Sequence, residues 1–288
     1  MAVDGTGNLV QAVLIHFNSE APKLQGEQKM GAKLFYTEFQ KVFDRMQSTQ
    51  EDVIAEVATW AADAIAADRF VFLFGTGHSA LPTMDAYPRI GCYPGWYPLH
   101  ELSTSYIANT LGNQGLRQTL FIEKTAGFGQ VMLENYRLNP KDLMIVISNS
   151  GVNTMGVDVA LEAKRQGLKT VAVTSIEHSK VSKSYHPSGE RLYEVCDRTI
   201  DTCMPQGDAL VEVSGFGHKV SAASTIMGCI VIQSLVAETA EELAARGVSL
   251  PVFPSHNTKM SPEETEEVEA MAEAVLEGHA RRTTGLYK

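Results

Sequence analysis

The chain has 288 residues, 44% of them hydrophobic and 20% charged, enough for one generous α/β domain with a buried core or for two small ones. Its formal net charge is −10 and no dense Lys/Arg run interrupts it, which excludes nucleic-acid binding driven by the phosphate backbone. The four cysteines (Cys92, Cys196, Cys203, Cys229) show neither CxxC pairing nor Cys/His metal spacing and read as reduced thiols of a cytoplasmic protein.

Residues 1–29 look unlike the rest and form an N-terminal extension. Within it Leu9 to Phe17 is apolar but too short to span a bilayer, and it lacks the basic flank and cleavage site of a signal peptide, so no membrane partner is expected. The main domain runs over residues 30–260, followed by an acidic helix and tail over 261–288. From Leu34 to Ala67 apolar residues recur at helical spacing, giving one or two amphipathic helices. Phe70 to Phe74 is a short apolar strand that enters the turn Gly75-Thr76-Gly77-His78-Ser79. The segment Gly91–Gly129, rich in Gly, Pro, Tyr and Ser/Thr, reads as long active-site loops.

A second unit repeats the pattern. Leu143 to Ile147 is a buried strand, Ser148-Asn149-Ser150-Gly151 a turn, Asn153 to Gln166 a helix with Gly167 past its end, and Thr170 to Thr174 the next strand. Strand–helix–strand with short links implies a right-handed crossover and a parallel sheet. Thr199–Thr202 and Ala209–Val213 are candidate further strands. A long Ala/Ile-rich helix is expected from about Ser221 to Arg246, and a last one after Ser261.

In open α/β sheets ligands sit at the carboxyl ends of parallel strands, where helix N-termini present unpaired N–H groups. Both Gly-rich turns occupy that position. In the first, Gly75 and Gly77 permit conformations closed to other residues, while Thr76 and Ser79 offer hydroxyls, Ser79 also as a helix cap. In the second, Ser148, Ser150 and Thr154 surround Gly151, with Asn149 and Asn153 beside them. Each turn taken alone is equally well a simple turn and cap. Two after successive core strands point to an anion held by neutral donors and helix dipoles. Gly75-x-Gly77-x-x-Ala80 half-matches a dinucleotide fingerprint and Gly77-His-Ser79 part of a nucleophile elbow, but neither accounts for both turns.

These residues resemble a sugar isomerase (SIS) domain. The two turns, the helix end Ala163-Lys-Arg-Gln-Gly167 and the strand Val171-Ala-Val-Thr-Ser175 match that pattern in order. The chain is most similar to bacterial single-domain SIS proteins described as phosphosugar isomerases, through His186-x-Ser188-Gly189-x-Arg191, Gly207-Asp208-Ala209, Ser224-Thr225-x-x-Gly228 and Pro251-Val-Phe-x-Ser255-x-Asn257. The resemblance, from about Met30 to Asn257, implies a flavodoxin-like three-layer α/β/α sandwich with a parallel central sheet. It further implies a homo-oligomer, with a dimer expected, that acts on or senses phosphosugars. The sequence departs from the family at Met84-Asp85, at Lys124 and at Asn153.

The expected ligand is an anionic sugar, phosphate or isosteric sulfonate, with no metal and no cofactor. Aldose–ketose isomerisation needs a base to move a proton between C1 and C2 and an acid for ring opening. Glu123, beside Lys124, is the first candidate base, the alternative being a solvated ion pair. Asp85 is the second, and His78 either lines the pocket or only orders its turn. His218 and Glu238 are further catalytic candidates, with His186 beside the ligand. Arg89 and Lys180 are candidate anion partners, and Ser224-Thr225 either closes the anion pocket or caps the long helix. A non-catalytic phosphosugar sensor and a phosphosugar lyase or etherase are the alternative readings, with a nucleotide-linked oxidoreductase as the outside option.

Overall fold

The computed structural model describes residues 30–105, 115–257 and 260–288. The expectations for residues 1–29, including the apolar Leu9–Phe17 stretch, lie outside the described residues. The apolar periodicity after Met30 yields a single helix, α1 (Gly31–Ala66), whose Met46, Ile54, Val57, Ala58, Ala61 and Ile65 form one buried stripe.

Five parallel strands make the central sheet: β1 (Val71–Gly75), β2 (Trp96–Leu99), β3 (Leu143–Ile147), β4 (Lys169–Thr174) and β5 (Arg198–Asp201), in the order β2-β1-β3-β4-β5. Alternation along each strand divides the core into two clusters. Val71, Leu73, Ile145 and Val173 face one side, where α1 and the long helix α9 (Ser224–Ala245) pack through Ala61, Ile65, Val231 and Leu235. Phe72, Phe74, Met144, Val146 and Ala172 face the other, packed against Met155, Val159 and Ala163 of α6 (Thr154–Arg165). Helices on both faces of a parallel sheet make the three-layer α/β/α sandwich.

Three sequence expectations need correction. The segment Gly91–Gly129 is not loop throughout: it contributes the edge strand β2 and, among its described residues, α3 (Leu102–Ser105), α4 (Gly115–Ile122) and the start of α5 (Phe128–Leu133). Four residues interrupted by Pro98 give little strand signal, and the proline is tolerated because β2 is at the sheet edge. The Ala209–Val213 candidate forms β6 (Ala209–Val211), outside the main sheet in an antiparallel pair with β7 (Val220–Ala222). Ser79 caps no helix: it lies inside a 3₁₀ turn (Gly77–Ala80) that leads directly into α2 (Leu81–Ala86).

The acidic C-terminal helix α10 (Pro262–Thr283) opens with a capping box between Ser261 and Glu264. It packs on the domain through Val275, and the tail beyond it places Leu286 in the second core cluster and bridges Tyr287 to Tyr136. Between β4 and β5 lie α7 (Ile176–Val181) and α8 (Leu192–Val195). Among the described residues, no helix is long and apolar enough to cross a membrane.

Candidate active site at the β1 and β3 tips

From β1 the chain passes to β2 on one side, then returns to β3 on the other, so the sheet order reverses between β1 and β3. A reversal of this kind opens a crevice at the carboxyl ends of the strands. Because Gly75 pairs with Ile147, the turns that follow them are neighbours. Gly75 is required by close approach: a Cβ there would stand 2.1 Å from the Ser79 carbonyl oxygen. Gly151 is required twice over, by its φ of +64° and by the Ser179 and Thr174 hydroxyl oxygens, each 2.9 Å from where a Cβ would be.

Glu123 lies between the two turns. It is 7% exposed, and its Oε2 accepts a hydrogen bond from the Thr76 hydroxyl at 3.1 Å. The Asn153 side chain also favours the charged form of the Glu123 carboxylate. Its carbonyl accepts from the Met155 N–H at 3.0 Å, tying the residue to the start of α6. Burial pushes the Glu123 carboxyl above its ordinary range, against the opposing pull of the Thr76 bond, the Lys124 charge and the Asn153 side chain. Lys124 is exposed and lies over the Tyr185 ring, 4.1 Å from its centroid, while the Glu123 carboxylate beside it is buried.

The second turn is braced from outside. Ser148 N–H donates to the Val173 carbonyl, the Leu192 N–H to the Gly151 carbonyl and the Tyr185 N–H to the Val152 carbonyl. Gly151 N–H is taken by the Ser148 hydroxyl oxygen at 3.2 Å. Among the described residues the N–H groups of Asn149, Ser150 and Thr154 have no protein acceptor. The buried Thr154 Oγ1, Asn149 Oδ1, Ser179 Oγ and Thr202 Oγ1 also lack partners. Buried polar atoms left unpaired in a native fold call for a ligand or water. Ser79, Asn149, Thr202, Ser224, Thr225 and Gly228 line one narrow crevice between these tips.

The other candidates divide by position. His186 lies near the start of α6, its Nδ1 accepting from the Ser188 N–H at 3.1 Å and its Nε2 3.2 Å from Asp158 Oδ1, which places the ring proton on Nε2. His78, His218 and Lys180 are exposed. His78 is on the rim of the first turn, and His218 lies in the hairpin connection between β6 and β7. Asp85 of α2 is paired with Arg89, three residues beyond that helix, and accepts from Gln233 Nε2 of α9 at 2.9 Å, so each of the two charges already has a partner. Glu238 is fourteen residues beyond Ser224 on α9, about 21 Å along the axis at the rise of an α-helix, and does not reach the crevice. Ser224 does not cap α9 with its own side chain: the Asp208 carboxylate takes that place. Sequence reasoning did not single out Thr202, Asp158 or Asp208 as site residues. Thr202 reads as the last residue of a strand, Asp158 carries no local motif, and Asp208, although inside the Gly207-Asp208-Ala209 motif, gives no local sign of which groups it meets.

A family model described as SIS domain matches residues 34–175. A UPF0309 protein of Oceanobacillus iheyensis is 31% identical over 225 residues, covering 78% of this chain and 89% of the relative. One from Shouchella clausii is 30% identical over 245 residues, covering 85% and 95%. Among solved structures, the phosphoheptose isomerase of Neisseria gonorrhoeae aligns with a TM-score of 0.49 at 12% identity, covering 73% of this chain and 97% of that one. Vibrio vulnificus NanR complexed with ManNAc-6P aligns at 0.44 and 17% identity, covering 84% and 69%.

Proposed function

Since the chain belongs to the sugar isomerase (SIS) domain family together with the bacterial UPF0309 proteins, we propose that it interconverts an aldose and a ketose carrying a C6 phosphate or an isosteric sulfonate. The observation that carries this reading is the buried Glu123 carboxylate, bonded to Thr76 of the first strand-tip turn, with its backbone tied to the start of α6 through the Met155 N–H. A general base works best with a pKa lifted toward the operating pH, and burial acts on Glu123 in that direction.

In this mechanism the free N–H groups of Asn149, Ser150 and Thr154, with the Ser148 and Ser150 hydroxyls, hold the anionic head group at the start of α6. Glu123 removes the proton from C2 of the open-chain aldose while the C1 carbonyl oxygen takes up the electron pair, giving an enediolate. A proton passes from O2 to O1, and the Glu123 carboxyl returns its proton to C1 to give the ketose. His78, on the rim of the first turn, is the proposed acid for ring opening. We extend the proposal to a homodimer acting in the cytoplasm.

Incubation with glucose 6-phosphate, fructose 6-phosphate and their amino and sulfo analogues in deuterated water tests the reading. Interconversion with deuterium at C2 is expected for at least one. Binding without exchange would make the protein a sensor, and release of an ether-linked acid would make it an etherase.

A further inference from the structure

The crevice has two walls of opposite character. One is built from the strand-tip turns, with Ser79 and Asn149; the other is the end of β5 and the start of α9, with Thr202, Ser224 and Thr225. Behind the second wall stands Asp208, held at a φ of +68°. Its Oδ1 accepts from the Ala223 N–H at 3.1 Å and the Ser224 N–H at 2.8 Å, and its Oδ2 from the Ser224 hydroxyl at 2.7 Å.

Three consequences follow from that carboxylate. The Ala223 and Ser224 amides at the start of α9, which would otherwise be free to meet an anion, are already bonded to one. A serine hydroxyl has a single proton, and Ser224 gives its own to Asp208, so toward the crevice it presents only lone pairs. A negative charge also lies one hydroxyl away from the crevice, which disfavours a second anion there. In the same wall Thr202 is 3% exposed and its Oγ1 has no partner. The turn of the opposite wall has the reverse sense: at the start of α6 the N–H groups of Asn149, Ser150 and Thr154 are free.

We propose that the α9 wall is a subsite that reads donor groups of the sugar, its hydroxyls or an amino substituent, through Thr202 and Ser224. Asp208 is the positioning residue that sets the direction of the Ser224 hydroxyl. The anionic head group is thereby confined to the turn after β3, and the sugar lies over the mouth of the crevice, whose volume of about 10 Å³ admits a single hydroxyl or amino group and not the ring. This inference rests on the phosphosugar reading above and deepens it by assigning the orientation of the ligand.

Calorimetric titration with two probes separates the walls: inorganic phosphate, and whichever of glucose 6-phosphate and fructose 6-phosphate binds the wild type more tightly. Thr202→Val and Ser224→Ala are expected to weaken the hexose phosphate about tenfold and to leave inorganic phosphate within about twofold, whereas Ser150→Ala weakens both. Asp208→Asn keeps a capping oxygen but turns an amide N–H toward Ser224, reversing its hydroxyl. The ratio of hexose phosphate to inorganic phosphate affinity should therefore fall in that variant, a change that general loosening of the fold would not produce. Equal losses for both probes in Thr202→Val and Ser224→Ala, or no loss for either, overturn the assignment of the walls while leaving phosphosugar binding intact. A wild-type protein that binds neither probe overturns the function itself and the orientation with it.

Discussion

The hydroxyl of Thr76 and the carboxylate of Glu123, 47 residues apart in sequence, are joined by a hydrogen bond of 3.1 Å. The contact fixes the carboxylate where the sheet order reverses, and the Met155 N–H holds the Glu123 backbone from the side of the second turn. A charged group kept there without a bonded cation is costly to ionise, which is useful only where a proton has to be moved.

Replacing Glu123 with Gln should lower kcat by about 10²–10⁴-fold and leave ligand affinity within a few fold, measured by turnover and calorimetry on the same preparation. An active Glu123→Gln enzyme would identify another base.

The acid limb of kcat/KM in the wild type should fall at a pH above the ordinary glutamate range, because burial raises this carboxyl. The sign for stability follows from the same shift. The folded state binds the Glu123 proton more tightly than the unfolded chain, so this group favours folding at low pH and the benefit is lost as pH rises through its raised pKa. Denaturation from pH 4 to 8 should therefore show Glu123→Gln gaining stability relative to the wild type as pH rises; a constant difference would contradict the shift.

In the second turn, Ser150→Ala removes one donor to the anion and should cost about 1–3 kcal/mol of phosphosugar binding. Gly151→Ala acts on the backbone as well. Its φ of +64° and the two hydroxyl oxygens 2.9 Å from the new Cβ should lower stability by about 1–3 kcal/mol, read from the urea midpoint, and weaken phosphosugar binding with it.

At the opposite end of the sheet, Asp142 is buried and accepts from Arg69 at 2.9 and 2.7 Å, from Phe70 N–H at 3.1 Å and from Asn139 N–H at 2.7 Å. Asp142→Ala leaves all these donors unpaired and should destabilise by about 3–5 kcal/mol. The surviving folded fraction should keep its activity, since the residue is far from the strand tips.

His279 of α10 stacks on Tyr87 and Tyr97, with ring centroids 4.2 and 5.7 Å apart, and burial followed by the nearby Arg282 charge lowers its pKa. Burial lowers His100 in the same direction. Protonation is thus harder in the folded state, and stability should decline as pH falls from 7 toward 5. His279→Phe keeps the stack and removes the titration, so thermal denaturation should show a flatter profile across that interval.

Much of the fold could be read along the chain because its signals are local. Apolar runs of five residues ending in Gly- and Ser-rich turns mark β1 and β3, and β1, β3 and β4 are buried with both faces covered. The edge strand β2 escaped because it has one neighbour, four residues and a proline. In the candidate site the anion turns were legible for the same local reason, and Glu123 was singled out from its place between them.

Other assignments depended on which residues meet across the fold. Glu123 is buried where the turn after β1 and the start of α6 meet it, and no neighbour in sequence announces that environment. Asp85 and Arg89 look like candidates for chemistry in sequence, yet they pair with each other and Asp85 also bonds Gln233 on α9. Thr202 carries no motif, and the motif around Asp208 does not tell what that carboxylate binds; both acquire meaning from the start of α9 and from a crevice that other elements complete. The sequence by itself determined the helices, the core strands and the two donor-rich turns, since hydrophobic period and glycine geometry act within a few residues. Only the tertiary structure decided which carboxylate is desolvated and which hydroxyls are left without partners, because burial and hydrogen-bond pairing are properties of contacts between segments far apart in the chain.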